Sequence, residues 1–217
     1  MDTLDQNVTS VAHVALNPSV FCVFDTETTG LFNFKLPADD PSQPRLASVA
    51  FILADKDGRE TARIKRYALP DGWEMPAEAG AINGLTTQFL LENGVPVSEI
   101  LDLYETYVSQ GLAVVAFNAQ FDCKMMRSEF RRAGRDDLFE KTRNVCVMRA
   151  LDPYGKEGLC IMRGYVNLSV ACEHFGFKNY QAHDALADAD AARQILERLI
   201  KDDRLPEPKV HLAKTKV

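Results

Sequence analysis

The sequence predicts a single α/β domain built around a mixed β-sheet, and three observations lead to this fold class. The chain has 217 residues, a length typical of one domain. Hydrophobic residues make up 46% of it and charged residues 26%, as in ordinary soluble globular proteins that bury a sizeable core. Apolar runs of strand length alternate with longer segments of helical periodicity. This order of elements is typical of one layered α/β domain.

Five segments have the composition of β-strands. Residues 20–24 (VFCVF) and 112–117 (LAVVAF) are continuously apolar, which is typical of buried strands. Residues 61–69 alternate between apolar and polar side chains, which predicts a strand with one face in solvent, and Asp57-Gly58 before them is a hairpin signal. The predicted strands, in chain order, are residues 20–24, 46–54, 61–69, 112–117 and 144–147.

Four segments show the periodicity of helices. Residues 97–109 carry apolar side chains at three- and four-residue spacing. Pro96 and Ser98 mark the start of this helix, and Gly111 follows it as a stop signal. The predicted helices, in chain order, are residues 97–109, 122–133, 168–175 and 182–200.

The two ends of the chain differ in composition from the part between them. Residues 204–217 contain two prolines and several basic residues, which predicts a peripheral tail. Residues 1–18 precede the first strand and lack a basic patch before an apolar stretch, so they do not resemble a secretory signal. We therefore expect an N-terminal extension (1–18), a folded domain (19–203) and a basic C-terminal tail (204–217).

Charge and cysteine content argue against several classes of protein. A net charge of −6 argues against a protein that coats nucleic acid electrostatically, although an enzyme that holds only a few phosphates is compatible with it. No apolar run approaches the length of a membrane span, about 18 residues. The five cysteines form no CxxC pair, which argues against a zinc ribbon. Scattered thiols without a signal sequence predict a cytoplasmic protein.

The first strand ends in two acidic residues, Asp25 and Glu27. Side chains alternate along a strand, so both carboxylates point to the same side of the sheet. Two such groups beside each other favour a hard divalent cation between them. Alternatively, the strand simply ends in a polar turn that Gly30 closes.

A second acidic segment follows the fourth buried strand. Asn118 and Asp122 stand where that strand gives way to a helix. Either residue could cap the helix, and this interpretation is the simpler one for the segment by itself.

A third segment, residues 181–190, opens the last long helix. It contains His183 and three acids, which could form an ordinary helix start because acids suit the first turn. His183 and Asp188 would diverge by about 140° on one regular helix. They converge if His183 lies in the turn before the helix and Asp188 lies one turn inside it. We interpret Asp184 and Asp190 as solvated helix charges.

Together and in this order, the three segments resemble the DEDDh family of 3′–5′ exonucleases. The family motif DxETTG is met by residues 25–30, HNAxFD by residues 118–122, and HxALxDA by residues 183–189. Residues 81–86 (AINGLT) are similar to the family segment IHGIT, and residues 167–177 resemble the helix before the third motif. The family includes the proofreading exonuclease subunit of bacterial DNA polymerase III, ribonuclease T and oligoribonuclease.

The resemblance covers about residues 20–199 and implies a ribonuclease-H-like α/β fold, with a central mixed five-stranded sheet flanked by helices. The sequence departs from the family pattern at three places. Phe117 and Asn83 replace the usual histidines before Asn118 and Gly84, and Ser48-Val49 stand where many members carry a glutamate. None of these belongs to the five core residues of the family, so they bear on substrate choice.

The resemblance implies a phosphodiester hydrolase that uses two divalent ions, Mg²⁺ or Mn²⁺, roughly 3.5–4 Å apart. Asp25 would bridge both ions. Glu27 and Asp188 would complete the ligands of the ion that carries the attacking water, and Asp122 would hold the other ion mainly through water. His183 would act as the general base, because imidazole takes up protons near neutral pH.

The implied substrate is the 3′ end of a nucleic acid strand, DNA in preference to RNA. The resemblance assigns its terminal nucleotide to a cradle around Thr28, Asn83, Leu85 and Asn118. Seven basic residues after Asp122 could guide the strand, or they could form a solvated helix face: Lys124, Arg127, Arg131, Arg132, Arg135, Lys141 and Arg143. The alternatives are an exoribonuclease of the ribonuclease T or oligoribonuclease kind and a polymerase-associated proofreading protein. A DNA polymerase or a second copy of the chain could be a partner, and no membrane is implied.

Overall fold

The computed structural model describes residues 18–177 and 182–210, and in this part of the chain a mixed six-stranded sheet forms the centre of the domain. The strand order is β3-β2-β1-β4-β5-β6. The outer pairs are antiparallel, whereas β1, β4 and β5 run parallel. The strands are β1 (Phe21–Thr28), β2 (Leu46–Ala54), β3 (Glu60–Tyr67), β4 (Ala113–Ala116), β5 (Arg143–Cys146) and β6 (Lys209–Val210).

The sheet has six strands where the sequence predicts five. The sixth, β6, is two residues long and comes from the segment assigned to the C-terminal tail. Its residues pair with Arg143 and Asn144 at the edge of the sheet. A two-residue strand with both side chains exposed has no alternating pattern, so sequence periodicity could not detect it.

Seven α-helices surround the sheet in the described residues, and all four helices that the sequence predicts are present. The helices are α1 (Ala77–Asn83), α2 (Thr87–Asn93), α3 (Val97–Ser109), α4 (Ala119–Arg132), α5 (Val147–Ala150), α6 (Leu168–Phe175) and α7 (Ala185–Lys201). The three unpredicted ones, α1, α2 and α5, span seven residues or fewer. Because α1 buries none of its side chains and α2 buries only Leu90, neither has an apolar stripe. In the described residues, no helix is both long enough and apolar enough to cross a membrane.

The two faces of the sheet carry separate apolar layers. Side chains of β1 alternate between them: Val23 packs with the apolar residues of α6 and α7, and Phe24 packs with those of α3 and α4. Asp25 and Glu27 continue the alternation on the α7 side. The carboxyl ends of β1, β4 and β5 meet at one edge of the sheet, which is where α/β folds usually bind their ligands.

Candidate active site

Asp25 and Glu27 lie in the last half of β1 and are both partly exposed. The strand continues through both of them to Thr28. The strand therefore includes both acids, and the bend that follows it lies at Thr29 and Gly30. Regular strand geometry holds both carboxylates on the α7 side of the sheet.

Asp122 lies in the first turn of α4 and is buried, with 3% of its surface exposed. Its Oδ1 atom accepts two hydrogen bonds from Thr26 in β1, from the backbone N–H at 3.1 Å and from Oγ1 at 2.8 Å. The side chain of Asn118, which precedes the helix, makes no capping hydrogen bond. The capping interpretation of this segment is therefore wrong, because Asp122 is turned toward β1 and Asn118 caps nothing.

His183 lies in the turn immediately before α7, and Asp188 lies in the first turn of that helix. The His183 backbone has a φ of 68°, and its N–H donates to Asp188 Oδ2 at 3.1 Å. Left-handed backbone is uncommon for a residue other than glycine, and this hydrogen bond helps to hold it. The expected convergence of His183 with Asp188 is confirmed: ligand atoms of Glu27, His183 and Asp188 all lie within 4.8 Å of one another.

The acidic groups repel one another electrostatically. Burial and then the negative charges of Asp122, Asp188 and Glu27 raise the pKa of Asp25 well above its ordinary value. Burial, followed by the charge of Asp188, raises the pKa of Glu27 to about 7. Burial also raises the pKa of Asp122, although the hydrogen bonds from Thr26 oppose this.

The donor set suits a divalent cation. Carboxylate oxygens are the ligands that Mg²⁺ and Mn²⁺ prefer. Within residues 18–177 and 182–210, no lysine or arginine forms a salt bridge with Asp25, Glu27 or Asp122. A cation held among the carboxylates would relieve the repulsion that raises these pKa values.

A cavity of about 210 Å³ opens beside Glu27 and His183. The turn after α1 forms part of its wall, and Asn83 and Leu85 both line it. Asn83 Nδ2 donates to the carbonyl of Thr28 at 3.4 Å, and Leu85 N–H donates to Asn83 Oδ1 at 3.1 Å. These contacts bring Thr28, Asn83 and Leu85 together. Asn118, which lies between β4 and α4, is not among the residues that line this cavity.

Two residues of this cavity, Ser48 and Lys65, were not singled out as site residues from the sequence. Ser48 on β2 pairs with Glu27 in the strand register, and its buried Oγ has no hydrogen-bond partner in the described part of the chain. Lys65 on β3 forms a salt bridge with Asp184. Because these partners are 21 and 119 residues apart, only the pairing of distant segments brings them together.

Asp184 and Asp190 have different surroundings. Asp184 is the N-cap of α7, where Oδ1 accepts from the N–H groups of Leu186 and Ala187 at 3.0 and 3.1 Å. Its other carboxylate oxygen forms a salt bridge with Lys65, and the side chain remains 47% exposed at the start of the helix. Asp190 accepts from Arg193 Nε at 2.9 Å, on a more distal turn of the helix.

Most of the seven basic residues after Asp122 are engaged in the fold. Three of them form salt bridges: Arg132 with Glu129, Arg135 with Asp102 and Glu105, and Lys141 with Asp136. Arg143 donates a hydrogen bond to the carbonyl of Gly111. The remaining three line a second cavity on the α4 side of the sheet: Lys124, Arg127 and Arg131.

Comparison with known proteins places the chain in a family. Residues 22–196 match the family model described as Exonuclease (RNase_T). The DNA polymerase III subunit epsilon of Treponema pallidum is 27% identical over 181 residues, which are 83% of this chain and 76% of that protein. A PolC-type DNA polymerase III of Halalkalibacterium halodurans is 26% identical over 88% of this chain, but the match spans only 12% of the polymerase.

Solved structures share the fold. A zinc-bound complex of E. coli exonuclease I with single-stranded DNA has a TM-score of 0.70 at 21% identity and covers 85% of this chain and 41% of that one. The nuclease domain of 3′hExo, described as a DEDDh family member and bound to rAMP, has a TM-score of 0.69 at 12% identity. The match covers 88% of this chain and 96% of that one. These likenesses support the ribonuclease-H-like fold. Because the family match spans most of the domain, the chain belongs to the exonuclease family.

Proposed function

We propose that this chain is a metal-dependent 3′–5′ exonuclease that removes nucleoside monophosphates from the 3′ end of single-stranded or frayed DNA. The observation that supports this most strongly is the convergence of acidic groups from β1, α4 and α7 beside His183. An accessory protein without activity would be expected to lack at least one of these groups, and all of them are present: Asp25, Glu27, Asp122, Asp188 and His183.

The four carboxylates are the proposed metal ligands, and two Mg²⁺ or Mn²⁺ ions are the proposed cofactors. When bound, such ions neutralise charge at the phosphate and make water a better nucleophile. The Thr26 hydrogen bonds hold Asp122 in the orientation needed for this role. The strand geometry of β1 does the same for Asp25 and Glu27.

His183 is the proposed general base. Its imidazole is exposed while its backbone is tied to Asp188, so the ring can accept a proton from water in the cleft and release it to solvent. Asp188 is thus a proposed metal ligand that also accepts, through Oδ2, the hydrogen bond that holds the backbone of His183.

The cavity beside Glu27 is the proposed site of the 3′-terminal nucleotide. Thr28, Asn83 and Leu85 form its cradle, and Asn118 is proposed to contact the substrate from the start of α4. Similarity to a polymerase epsilon subunit and to an exonuclease I complexed with single-stranded DNA favours DNA. The likeness to a DEDDh domain bound to rAMP makes RNA the second candidate. Association with a DNA polymerase, or self-association, rests on the resemblance alone.

The proposal is tested with 5′-labelled single-stranded DNA, mismatched duplex and RNA of the same sequence, each with Mg²⁺ and with chelator. We expect a descending ladder on DNA that chelator abolishes, and slower hydrolysis when the 3′ end carries a phosphate. Faster hydrolysis of RNA would favour the exoribonuclease. Cleavage of a closed circle would refute the exonuclease assignment.

The role of His183 has a separate test. His183→Ala should lower turnover by roughly 10²–10⁴-fold, the usual effect of losing a general base. Binding of single-stranded DNA should change little. His174→Ala is the matched control, since this exposed histidine lies in α6, outside the proposed site. A His183→Ala enzyme within about threefold of wild type would mean that another group takes the proton.

A further inference from the structure

The cavity on the α4 side of the sheet has a volume of about 700 Å³ and is rich in cationic side chains. The loop after β1, helix α4 and the segment around β5 form its walls. The lining includes three aromatic residues, Phe34, Tyr104 and Phe139, and one acid, Asp137. The four cations among its lining residues are Lys124, Arg127, Arg131 and Arg149.

The cations of this cavity are only partly neutralised. Arg127 and Arg131 share the carboxylate of Asp137, each with its Nε 2.7 Å from Oδ2, and Arg131 Nη1 also lies 3.9 Å from Asp39 Oδ1. Lys124 reaches only backbone carbonyls at 3.4 Å, and Arg149 reaches the amide oxygen of Gln120 at 3.4 Å. In the described part of the chain, neither Lys124 nor Arg149 forms a salt bridge. The cavity therefore keeps positive charge in a protein whose net charge is −6.

Aromatic side chains lie among these charges. The Lys124 ammonium is 4.7 Å from the centre of the Phe34 ring, and the Arg127 guanidinium is 4.1 Å from that of Phe139. Phe34 is 52% exposed although it is a large apolar side chain. Cations that can hold phosphates next to an exposed ring that can stack on a base are the combination with which proteins bind single-stranded nucleic acid.

The cavity is next to the proposed active site. Gln120 and Lys124 belong to the helix that carries Asp122, and Arg149 follows the carboxyl end of β5. Each cavity is lined by a residue in the carboxyl-terminal part of a strand, Glu27 of β1 in one and Cys146 of β5 in the other. A strand whose 3′ end is held at Asp122 can continue from there along α4.

We propose that this cavity binds the nucleotides on the 5′ side of the scissile bond, a role that rests on the proposed exonuclease function. Lys124 and Arg149 hold backbone phosphates, and Phe34 stacks on one base. Arg127 and Arg131 keep Asp137 in place and add to the positive potential. Binding here is independent of base sequence, because phosphates and ring faces are common to all nucleotides.

The test compares two variants with the same change in charge. Lys124→Gln/Arg149→Gln removes the two unpaired cations. Lys56→Gln/Arg59→Gln removes two cations of the β2–β3 hairpin, at the opposite end of β1. Binding of an oligothymidylate of about 12 nucleotides, within the usual site size, is measured by fluorescence anisotropy in chelator at several salt concentrations. Hydrolysis of this oligonucleotide and of a dinucleotide is measured with Mg²⁺.

The cavity variant should bind the longer strand roughly tenfold or more weakly, and its log–log salt slope should fall by about 1.4, or 0.7 per phosphate contact. Its loss in kcat/KM should be larger on the oligonucleotide than on the dinucleotide. Phe34→Ala should weaken binding about 5- to 100-fold, and Phe34→Trp should restore it. Equal binding and salt slopes for both double variants would overturn the proposal.

The anisotropy measurement separates this proposal from the proposed function. If wild type hydrolyses neither substrate but binds the oligonucleotide through Lys124 and Arg149, the exonuclease assignment fails and the cavity assignment stands. If wild type hydrolyses both substrates equally and both double variants match it, the strand leaves the active site by another path and the cavity assignment fails.

Discussion

Glu129 and Asp122 lie two turns apart on α4 and are almost equally buried, at 1% and 3% exposure, but their carboxylates have opposite surroundings. Glu129 Oε1 accepts from Arg45 Nε at 2.9 Å, from Arg132 Nη1 at 3.2 Å and from the backbone N–H of Leu46 at 3.1 Å. Asp122 accepts from the backbone N–H and the hydroxyl of Thr26, which are uncharged donors, and it lies near other acids.

This difference separates a structural carboxylate from one suited to chemistry. A buried charge is tolerated when hydrogen-bonded partners of opposite charge surround it, as around Glu129. In the described part of the chain, no lysine or arginine forms a salt bridge with Asp25, Glu27 or Asp122, and these carboxyl groups stay protonated more readily because burial and mutual repulsion disfavour their charged forms. A site of this kind can accept a cation from solution, whereas Arg45 and Arg132 already neutralise the carboxylate of Glu129. Perturbed carboxyl groups in a cleft are typical of functional sites.

The largest effect on stability is expected from Glu129→Gln. It leaves Arg45 and Arg132 without their carboxylate, which should cost about 3 kcal/mol, the lower end for a broken buried pair because both guanidinium groups keep some contact with solvent. The melting temperature should fall by roughly 6–12 °C, while turnover of the folded enzyme is kept. Glu173→Gln, on the exposed surface of α6, should change stability by less than about 0.5 kcal/mol. Equal melting of the two variants would contradict the structural role of Glu129.

Asp25→Asn should stabilise the metal-free protein, whereas Glu129→Gln destabilises the fold. Removing the charge that lies among Asp122, Asp188 and Glu27 should stabilise the metal-free protein by about 1–3 kcal/mol, and this variant should be inactive. Mg²⁺ at a hundredfold excess over its Kd should stabilise wild type by about 2.7 kcal/mol and the variant by much less. The measurement is a pair of melting curves, with chelator and with Mg²⁺. A variant that melts lower in chelator, with equal shifts from Mg²⁺, would show that Asp25 is a structural residue.

The stability of the metal-free protein should also depend on pH, by less than the effects of the two substitutions above. The pKa of Glu27 rises from an ordinary value of 4.5 to about 7 on folding, so between these values the folded state holds more protons than the unfolded state. Stability therefore increases as the pH falls through 7 and is lost as the pH rises. Between about pH 8 and about pH 5.5 we expect a gain of roughly 1–2 kcal/mol, reduced by solvent screening. Glu27→Gln should flatten this part of the stability curve, and an unchanged slope would contradict it.

The smallest effects are expected at Asp184 and Asp190. Asn can still cap α7, so Asp184→Asn loses chiefly the salt bridge to Lys65, which should contribute less than about 1 kcal/mol. Asp190→Asn weakens contacts with Arg193 that lie outside the site. Both variants should retain turnover within about threefold of wild type. A loss as large as that of Asp188→Asn would mean that the ligand of the third motif is misassigned.

The sequence by itself determined the features that depend on neighbouring residues. Residues 46–54 predicted β2 with its bounds, and the other apolar runs, together with the alternation over residues 61–69, located four more strands. The position of His183 before α7 and of Asp188 within it also followed from local geometry, since three to five residues of backbone decide it. Spacing of this kind is a property of the chain before it folds.

Only the tertiary structure decided which charged side chains form ion pairs and hydrogen bonds with one another. No local pattern indicates that Arg45 pairs with Glu129 across 84 residues, that Lys65 pairs with Asp184, or that Asp122 turns toward Thr26 instead of capping its helix. The basic residues after Asp122 look equivalent in sequence, but packing gives most of them partners and leaves Lys124 in a cavity. Burial and partners depend on contacts between distant segments, and these two quantities determine whether a charged side chain stabilises the fold or remains available to a ligand.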